Sequence, residues 1–427
     1  MLKKNAIFAI LLVVGLVAAS CGSGSGTSAN DTSGSDDTGS DDATEESSDA
    51  EPVEFDGTIK LGAALSATGK FAVEGEDSQR GYDTWVEWVN NERGGIKVGD
   101  KTYNVEIVYY DDESDADTAA NLTTKLIDED EVDFLLGPYS SGLTVGASAI
   151  AEKNNIIMVE GNGTANSMFE RGFKNLFLVA TIGSDYTKTG IEEMAEGGAK
   201  TAVIAYEDTA FPTAVAEGAE EHLEANGIEV LAVEKYPKDI QDVSAIMTKF
   251  RGLEPDIFVG GGHYNDAVLF VNSAKELGWD PDGMLITVGP SNPRLAEELG
   301  EDLDGVTGPT QWEATMAYKG EYFGSAAEYA EYFQELHGVP PVYQAASATA
   351  SALALQIAIE DAGDLETDAV RTALLEMEAD TFYGPIDFDE RGVNIAKPMG
   401  TIQVQDGEIN VIAPSEAKIA DLTYPIS

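Results

Sequence analysis

The sequence predicts an α/β protein built as two doubly wound, Rossmann-like lobes. Short apolar runs alternate with helix-length amphipathic segments from Gly57 onward. The alternation comes in two blocks, near 57–180 and near 200–290, and two more helical segments follow the second. Strands that each feed a helix form parallel sheets covered on both faces.

In the first block, 58–64 reads as a strand. Residues 75–91 read as a helix with Tyr82, Trp85, Val86 and Val89 at helical spacing. Strand 105–110, helix 115–129, strand 134–137, helix 142–154 and strand 156–159 follow. The second block reads as strand 202–206, helix 212–226, strand 229–233, helix 243–253, strand 256–259, helix 266–277 and strand 284–288. Helices 343–362 and 368–377 are expected to return to the first lobe, because a cleft protein needs several crossings. The expected division is 57–182 with 310–384 in the first lobe, and 183–309 with 385–427 in the second.

The start of the chain is a separate matter. Lys3 and Lys4 precede an apolar run from Ala6 to Ala19 and then Ala18-Ala19-Ser20-Cys21. A basic start, a short apolar stretch and small residues before a cut make a secretory signal over 1–20, too short for a membrane span. Cys21, the single cysteine of the chain, resembles the lipidated cysteine of bacterial lipoproteins. The departure is Ala18, where that pattern carries leucine. Residues 22–54 hold ten acids, no Lys or Arg and almost nothing apolar. Such a segment cannot offset its ordering entropy by burial and is expected to be a disordered, extended tether. The protein is thus expected outside the cytoplasm, held to the membrane only through its lipid.

Acidic residues number 77 against 25 basic ones, a formal charge of −52. Phosphate binding needs Lys and Arg, so nucleic acid is excluded as a partner, as is docking on anionic lipid. The acids spread along the whole body, which fits a saline habitat better than a cationic ligand. After Cys21 no thiol remains for a disulfide, so the core must hold the fold.

Five strings, in this order, resemble the type I periplasmic binding proteins of ABC transporters, in the branched-chain amino acid receptor branch. They are GAALSATG at 62–69, NNERGGI at 90–96, YDDES at 110–114, GPYSSG at 137–142 and PPVY at 340–343. The resemblance spans 57–427. It implies two lobes joined by three crossovers that close on a small solute, with membrane permease subunits as partners, a monomer, and no cofactor. Relatives also include amide and urea receptors, aromatic-acid receptors and sensor domains.

Ligands of open parallel sheets sit beyond the carboxyl ends of the strands. Ser140 and Ser141 lie there, at the start of a helix, where free N–H groups and the dipole favour a carboxylate; capping that helix is their alternative role. By resemblance, Ser141 takes the ligand carboxylate, and Asn162 and Thr164 in the next loop hold its carboxylate and amine. Aromatic cleft walls fall on Phe211 and Tyr343, with Phe71 a similar candidate. Two positions depart from the amino acid receptors. Ser291 stands where an ammonium-pairing acid is expected, and His263 replaces a phenol. Either another acid (Glu74, Glu160, Glu207 or Asp208) pairs an ammonium, or the ligand is not an ordinary α-amino acid. Trp312 either walls the cleft or packs the hinge.

Enzyme chemistry lacks its parts. His222, His263 and His337 are too scattered for a metal site, with His222 and His337 expected on exposed helix faces. No nucleophile elbow or phosphate-binding glycine loop is present. The acids at 111–117 lack the glycine and terminal glutamate of a calcium loop and are expected to serve a helix start.

Overall fold

A computed structural model describes residues 54–426; the signal segment, Cys21 and most of the expected tether lie outside the described residues. The first lobe is a six-stranded sheet in the order β2-β3-β1-β4-β5-β6. Its strands are β1 (Gly57–Leu65), β2 (Ile96–Val98), β3 (Lys101–Asp111), β4 (Phe134–Leu136), β5 (Met158–Glu160) and β6 (Leu176–Leu178). All neighbours are parallel except β2, a hairpin arm on β3. Helices α1 (Ala72–Glu87), α2 (Ala116–Asp128), α3 (Ser141–Lys153) and α4 (Asn166–Phe169) connect them.

The second lobe is a seven-stranded sheet, β15-β14-β11-β10-β9-β7-β8. It contains β7 (Thr201–Glu207), β8 (Glu229–Tyr236), β9 (Ile257–Gly261), β10 (Gly283–Ile286) and β11 (Thr307–Thr310). Its helices are α5 (Lys188–Glu196), α6 (Ala210–Ala225), α7 (Ser244–Arg251), α8 (Tyr264–Leu277) and α9 (Pro293–Leu299). The chain then returns through α10 (Ala326–His337), α11 (Tyr343–Ala362) and α12 (Thr367–Leu375), whose apolar faces join the core under the first sheet. The hairpin β12 (Glu378–Thr381) and β13 (Gly384–Asp387) follows. Last come β14 (Gly400–Gln405) and β15 (Glu408–Ala413), antiparallel at the edge of the second sheet. Ile386 and Phe388 stay in the first core, and Val393 bridges to Leu178. The last crossing therefore falls after Asn394, later than the expected boundary at 384.

Every residue of α11 from Tyr343 to Ile359 is buried. Its alanines and serines allow α1 to approach closely: a Cβ on Gly81 would stand 2.1 Å from the Ala345 carbonyl oxygen. Gly81→Ala adds helix propensity of about 1 kcal/mol, yet the clash dominates. A net loss of about 1–3 kcal/mol is expected in urea melts; a gain would contradict this packing.

The three crossovers are hydrogen-bonded to one another. Thr181 N donates to Gln311 Oε1 and Gln311 Nε2 returns a bond to the Thr181 carbonyl, both at 3.0 Å. Thr181 Oγ1 donates to the Lys397 carbonyl at 3.1 Å, and Lys397 Nζ donates to the Gln311 carbonyl. Lys397 is 4% exposed, and its ammonium lies 4.5 Å from the centre of the Tyr383 ring. Burial pushes its pKa down to about 7. Trp312, beside this clamp, is fully enclosed and donates from Nε1 to the Phe382 carbonyl. It packs the hinge side of the first core.

Candidate functional site

Loops at the carboxyl ends of β4 and β5 meet the start of α3. Ser140 precedes the helix without a side-chain capping bond. Ser141, the first helical residue, is wholly buried, and its Oγ accepts from Thr164 N at 2.9 Å and Ala165 N at 3.0 Å. With both acceptor positions used, the hydroxyl proton is its remaining function. Thr164 Oγ1 is buried beside Tyr186 but makes no hydrogen bond of normal geometry among the described residues. Asn162 donates from Nδ2 to Ser78 Oγ and the Gln344 carbonyl, leaving Oδ1 buried and unpartnered among the described residues.

This loop is folded around one acid. Glu160 accepts from Asn162 N at 2.8 Å, Gly163 N at 2.7 Å and Thr144 Oγ1 at 2.8 Å. Burial raises its pKa to about 7 despite these donors.

Aromatic rings form the wall. Phe71 packs on His263 at 4.7 Å and on Tyr139 at 5.7 Å between centroids. Phe211 lies 5.5 Å from His263 and 5.0 Å from Tyr186. His263 starts α8 and is buried; its Nδ1 pairs with Tyr139 OH at 3.1 Å. Burial, with the charges of Lys70 and Lys238, holds its pKa well below the usual imidazole value. The ring is therefore neutral. Tyr343 is buried at the start of α11, electrostatically coupled to Tyr186 and Glu74.

The four acids left open by the sequence now separate. Glu160 serves its own loop. Glu207 is paired with Lys70, and Asp208 with Lys235 at 2.8 Å on the surface. Glu74 is 1% exposed; Oε1 accepts from Tyr264 N of the other lobe at 3.1 Å, and Oε2 has no hydrogen-bond partner among the described residues. Burial raises its pKa to about 7, with the nearby carboxylates of Asp77 and Asp266 adding to the rise. Ser291 is buried in the turn before α9, beside Asn292, whose Nδ2 donates to Asp77 Oδ2 at 3.4 Å.

Further contacts close the seam between the lobes. Lys70 lies between Glu207 and Asp266, the latter at 3.1 Å. Lys238 Nζ donates to the Ser114 carbonyl, and Asn265 Nδ2 to that of Lys70, both at 3.0 Å. Arg294 pairs with Glu76 at 3.0 Å and Asp77 at 3.3 Å. A cavity of about 390 Å³ opens beside this seam, lined by Lys70, Lys238, Asn265, Asp266 and Glu298 among others.

The structure thus brings Ser141, Asn162 and Thr164 into one cluster and Phe71, Phe211 and His263 into another. Sequence reasoning missed Tyr139, although it stands inside the 137–142 string. It also missed Tyr186 and Gln311, for which no local signal exists. The histidines expected on exposed faces are half-buried: His222 Nε2 lies 3.1 Å from the Ser184 carbonyl, and His337 Nε2 2.8 Å from Thr84 Oγ1. Both settle against neighbouring elements, which periodicity does not reveal. Asp115 caps α2 through Thr118 N at 2.9 Å. Asp111 and Asp112 accept from the residues around them, Asp112 from Ser66 Oγ at 2.6 Å.

The family model described as periplasmic binding protein matches residues 58–408. The chain belongs to the periplasmic binding protein family. Such a periplasmic binding protein is a solute receptor that works outside the cytoplasm, not an enzyme. The chain is 25% identical over 394 residues to Leu/Ile/Val-binding protein homolog 7 of Brucella abortus (strain 2308), covering 88% of this chain and 96% of the relative. The fold matches the branched-chain amino acid transporter substrate-binding protein LivJ of Streptococcus pneumoniae, solved with isoleucine. That match has a TM-score of 0.74 at 23% identity, over 84% of this chain and 100% of the other. It also matches a solute-binding protein of an ABC transporter from Rhodopseudomonas palustris BisB5, solved with 3,4-dihydroxybenzoic acid. There the TM-score is 0.72 at 18% identity, over 82% and 95% of the two chains.

Proposed function

We propose that this periplasmic binding protein is the receptor of an ABC importer and captures a small carboxylate-bearing solute in the cleft between its lobes. The observation that carries the reading is the pair Ser141 and Thr164. The Ser141 hydroxyl, at the start of α3, has only its proton left to give, and the Thr164 hydroxyl, in the loop whose N–H groups bond to Ser141, is buried without a partner among the described residues. Two hydroxyl donors and a helix N-terminus form a carboxylate seat. The ligands seen with fold relatives, isoleucine and 3,4-dihydroxybenzoic acid, both carry that group.

An open form admits the solute, and the closed form is selected because only it makes contacts from both lobes. A monomeric receptor then presents the closed shape to membrane permease subunits. Cys21, lipidated after removal of 1–20, would hold it near them, because tethering raises effective concentration. Mass spectrometry of the mature chain tests this: an unmodified Cys21 or a different first residue removes the anchor.

For the cleft, Ser141→Ala is expected to weaken binding of a carboxylate ligand by about 1–3 kcal/mol in calorimetric titration. Unchanged affinity would remove Ser141 from the seat.

A further inference from the structure

We propose that Glu74 is the specificity-determining acid of the cleft, and that its Oε2 receives a cationic N–H donor carried by the solute. This rests on the carboxylate reading above and narrows it to zwitterionic solutes, against acids such as 3,4-dihydroxybenzoate.

A buried carboxylate is stable only when its oxygens are paired. In Glu74, Oε1 has Tyr264 N; Oε2 has no partner among the described residues, although the residue is 1% exposed. The nearby cations are already engaged. Lys70 serves Glu207 and Asp266, Arg294 serves Glu76 and Asp77, and Lys238 serves the Ser114 carbonyl. The Tyr139 hydroxyl, 3.1 Å from His263 Nδ1, also interacts with Glu74, but it is neutral and makes no hydrogen bond of normal geometry to Oε2. No cation of the protein is left to meet Oε2, and that charged donor falls to the solute.

Asp77 and Asp266 add negative charge near Glu74. Tyr139 and Tyr343 both couple electrostatically to Glu74, and Tyr139 also faces Phe71 and a neutral His263. A second unpartnered oxygen of the site, Asn162 Oδ1, is an acceptor too. Burial favours the protonated form of an empty Glu74, and a cation beside it favours the ionised form.

The geometry adds a second role. Glu74 stands on α1 of the first lobe, the lobe that carries Ser141 and Thr164, while Tyr264 N belongs to α8 of the second. One carboxylate thus touches the solute with one oxygen and the opposite lobe with the other. It recognises the nitrogen and helps to complete closure. Ser291, at the position where an acid would otherwise act, has no charge to contribute.

The test is isothermal titration of wild type, Glu74→Gln and Ser141→Ala. The probes are L-isoleucine, L-phenylalanine and L-glutamine, the 2-hydroxy acid of each, and 3,4-dihydroxybenzoate. Wild type is expected to bind at least one amino acid 10-fold or more tighter than its hydroxy acid. Glu74→Gln, which is nearly isosteric, is expected to lose 10-fold or more for that amino acid and to leave the hydroxy acid within about 2-fold, so that the preference collapses. Thermal melts of both variants check that they fold. The proposal is overturned if the amino acid keeps its preference in Glu74→Gln. It is also overturned if the hydroxy acids or 3,4-dihydroxybenzoate bind wild type and respond to Ser141→Ala while no amino acid binds better. That second outcome leaves the carboxylate seat standing. If no carboxylate binds wild type, the seat itself fails, and this proposal with it.

Discussion

Glu160→Ala is expected to lower stability by about 3–5 kcal/mol and to abolish detectable solute binding. The Glu160 side chain is wholly buried and accepts from two backbone N–H groups and one threonine hydroxyl of the ligand loop and α3. Truncation leaves the Asn162 and Gly163 N–H groups without their partner, at about 1–3 kcal/mol for each group, while Thr144 Oγ1 keeps the Ser140 carbonyl; it also opens a cavity between α3 and β5. Gly137 and Gly163 cannot fill it, since each lacks the atoms and packs directly on the carboxyl group. Because the loop ends in Thr164, its loss of shape also removes one half of the carboxylate seat. Urea unfolding and titration check the two effects separately. A variant that kept affinity with reduced stability would show that Glu160 supports the fold alone.

Lys397→Met is expected to act in the opposite direction, stabilising the protein by about 2–4 kcal/mol at pH 7. The amine is enclosed, and burial lowers its pKa from 10.5 to about 7. Between those values the unfolded chain binds a proton that the folded chain does not, so stability rises with pH across that window. Every tenfold loss of proton affinity on folding costs about 1.4 kcal/mol. Methionine removes that penalty and loses one hydrogen bond to the Gln311 carbonyl, about 1 kcal/mol. The gain is therefore largest at and below pH 7, shrinks as the pH rises, and turns near pH 10.5 into a loss of about 1 kcal/mol, the hydrogen bond alone. Melts of wild type and variant from about pH 6 to pH 10 read this directly. A constant difference would mean that the lysine is charged in the folded state.

The parallel strands are legible in the sequence because buried strands are continuous apolar runs, such as 134–136 and 257–259. Helix α11 is legible over its full length, since Tyr343–Ala362 is bounded by Val342 and Gly363 with no breaker inside. The 75–91 helix starts earlier, at Ala72, because Phe71 is held by Ser114 Oγ on a different loop. Strands β12 to β15 leave no such mark; they are not continuous apolar runs, and the place of β14 in the sheet is set by β11, far away in the chain. The same holds in the site. Glu74 is one of four candidate acids by sequence, and which acid keeps a free oxygen depends on partners that folding brings: Lys70 to Glu207, Lys235 to Asp208, and Thr144 with the loop N–H groups to Glu160. The crossover clamp joins positions 130 and 86 residues apart, a separation at which periodicity carries no information.

Salt acts on the seam in two directions. Closing the cleft presses together two bodies that both carry negative charge, in a chain with 77 acidic and only 25 basic residues. Three of those few cations, Lys70, Lys238 and Arg294, stand on the seam and bind the opposite lobe. They act as counterions fixed in place where repulsion between the lobes would be greatest. Dissolved salt weakens these bridges and the surrounding repulsion together. Attraction and repulsion across the seam thus weaken together as ionic strength rises.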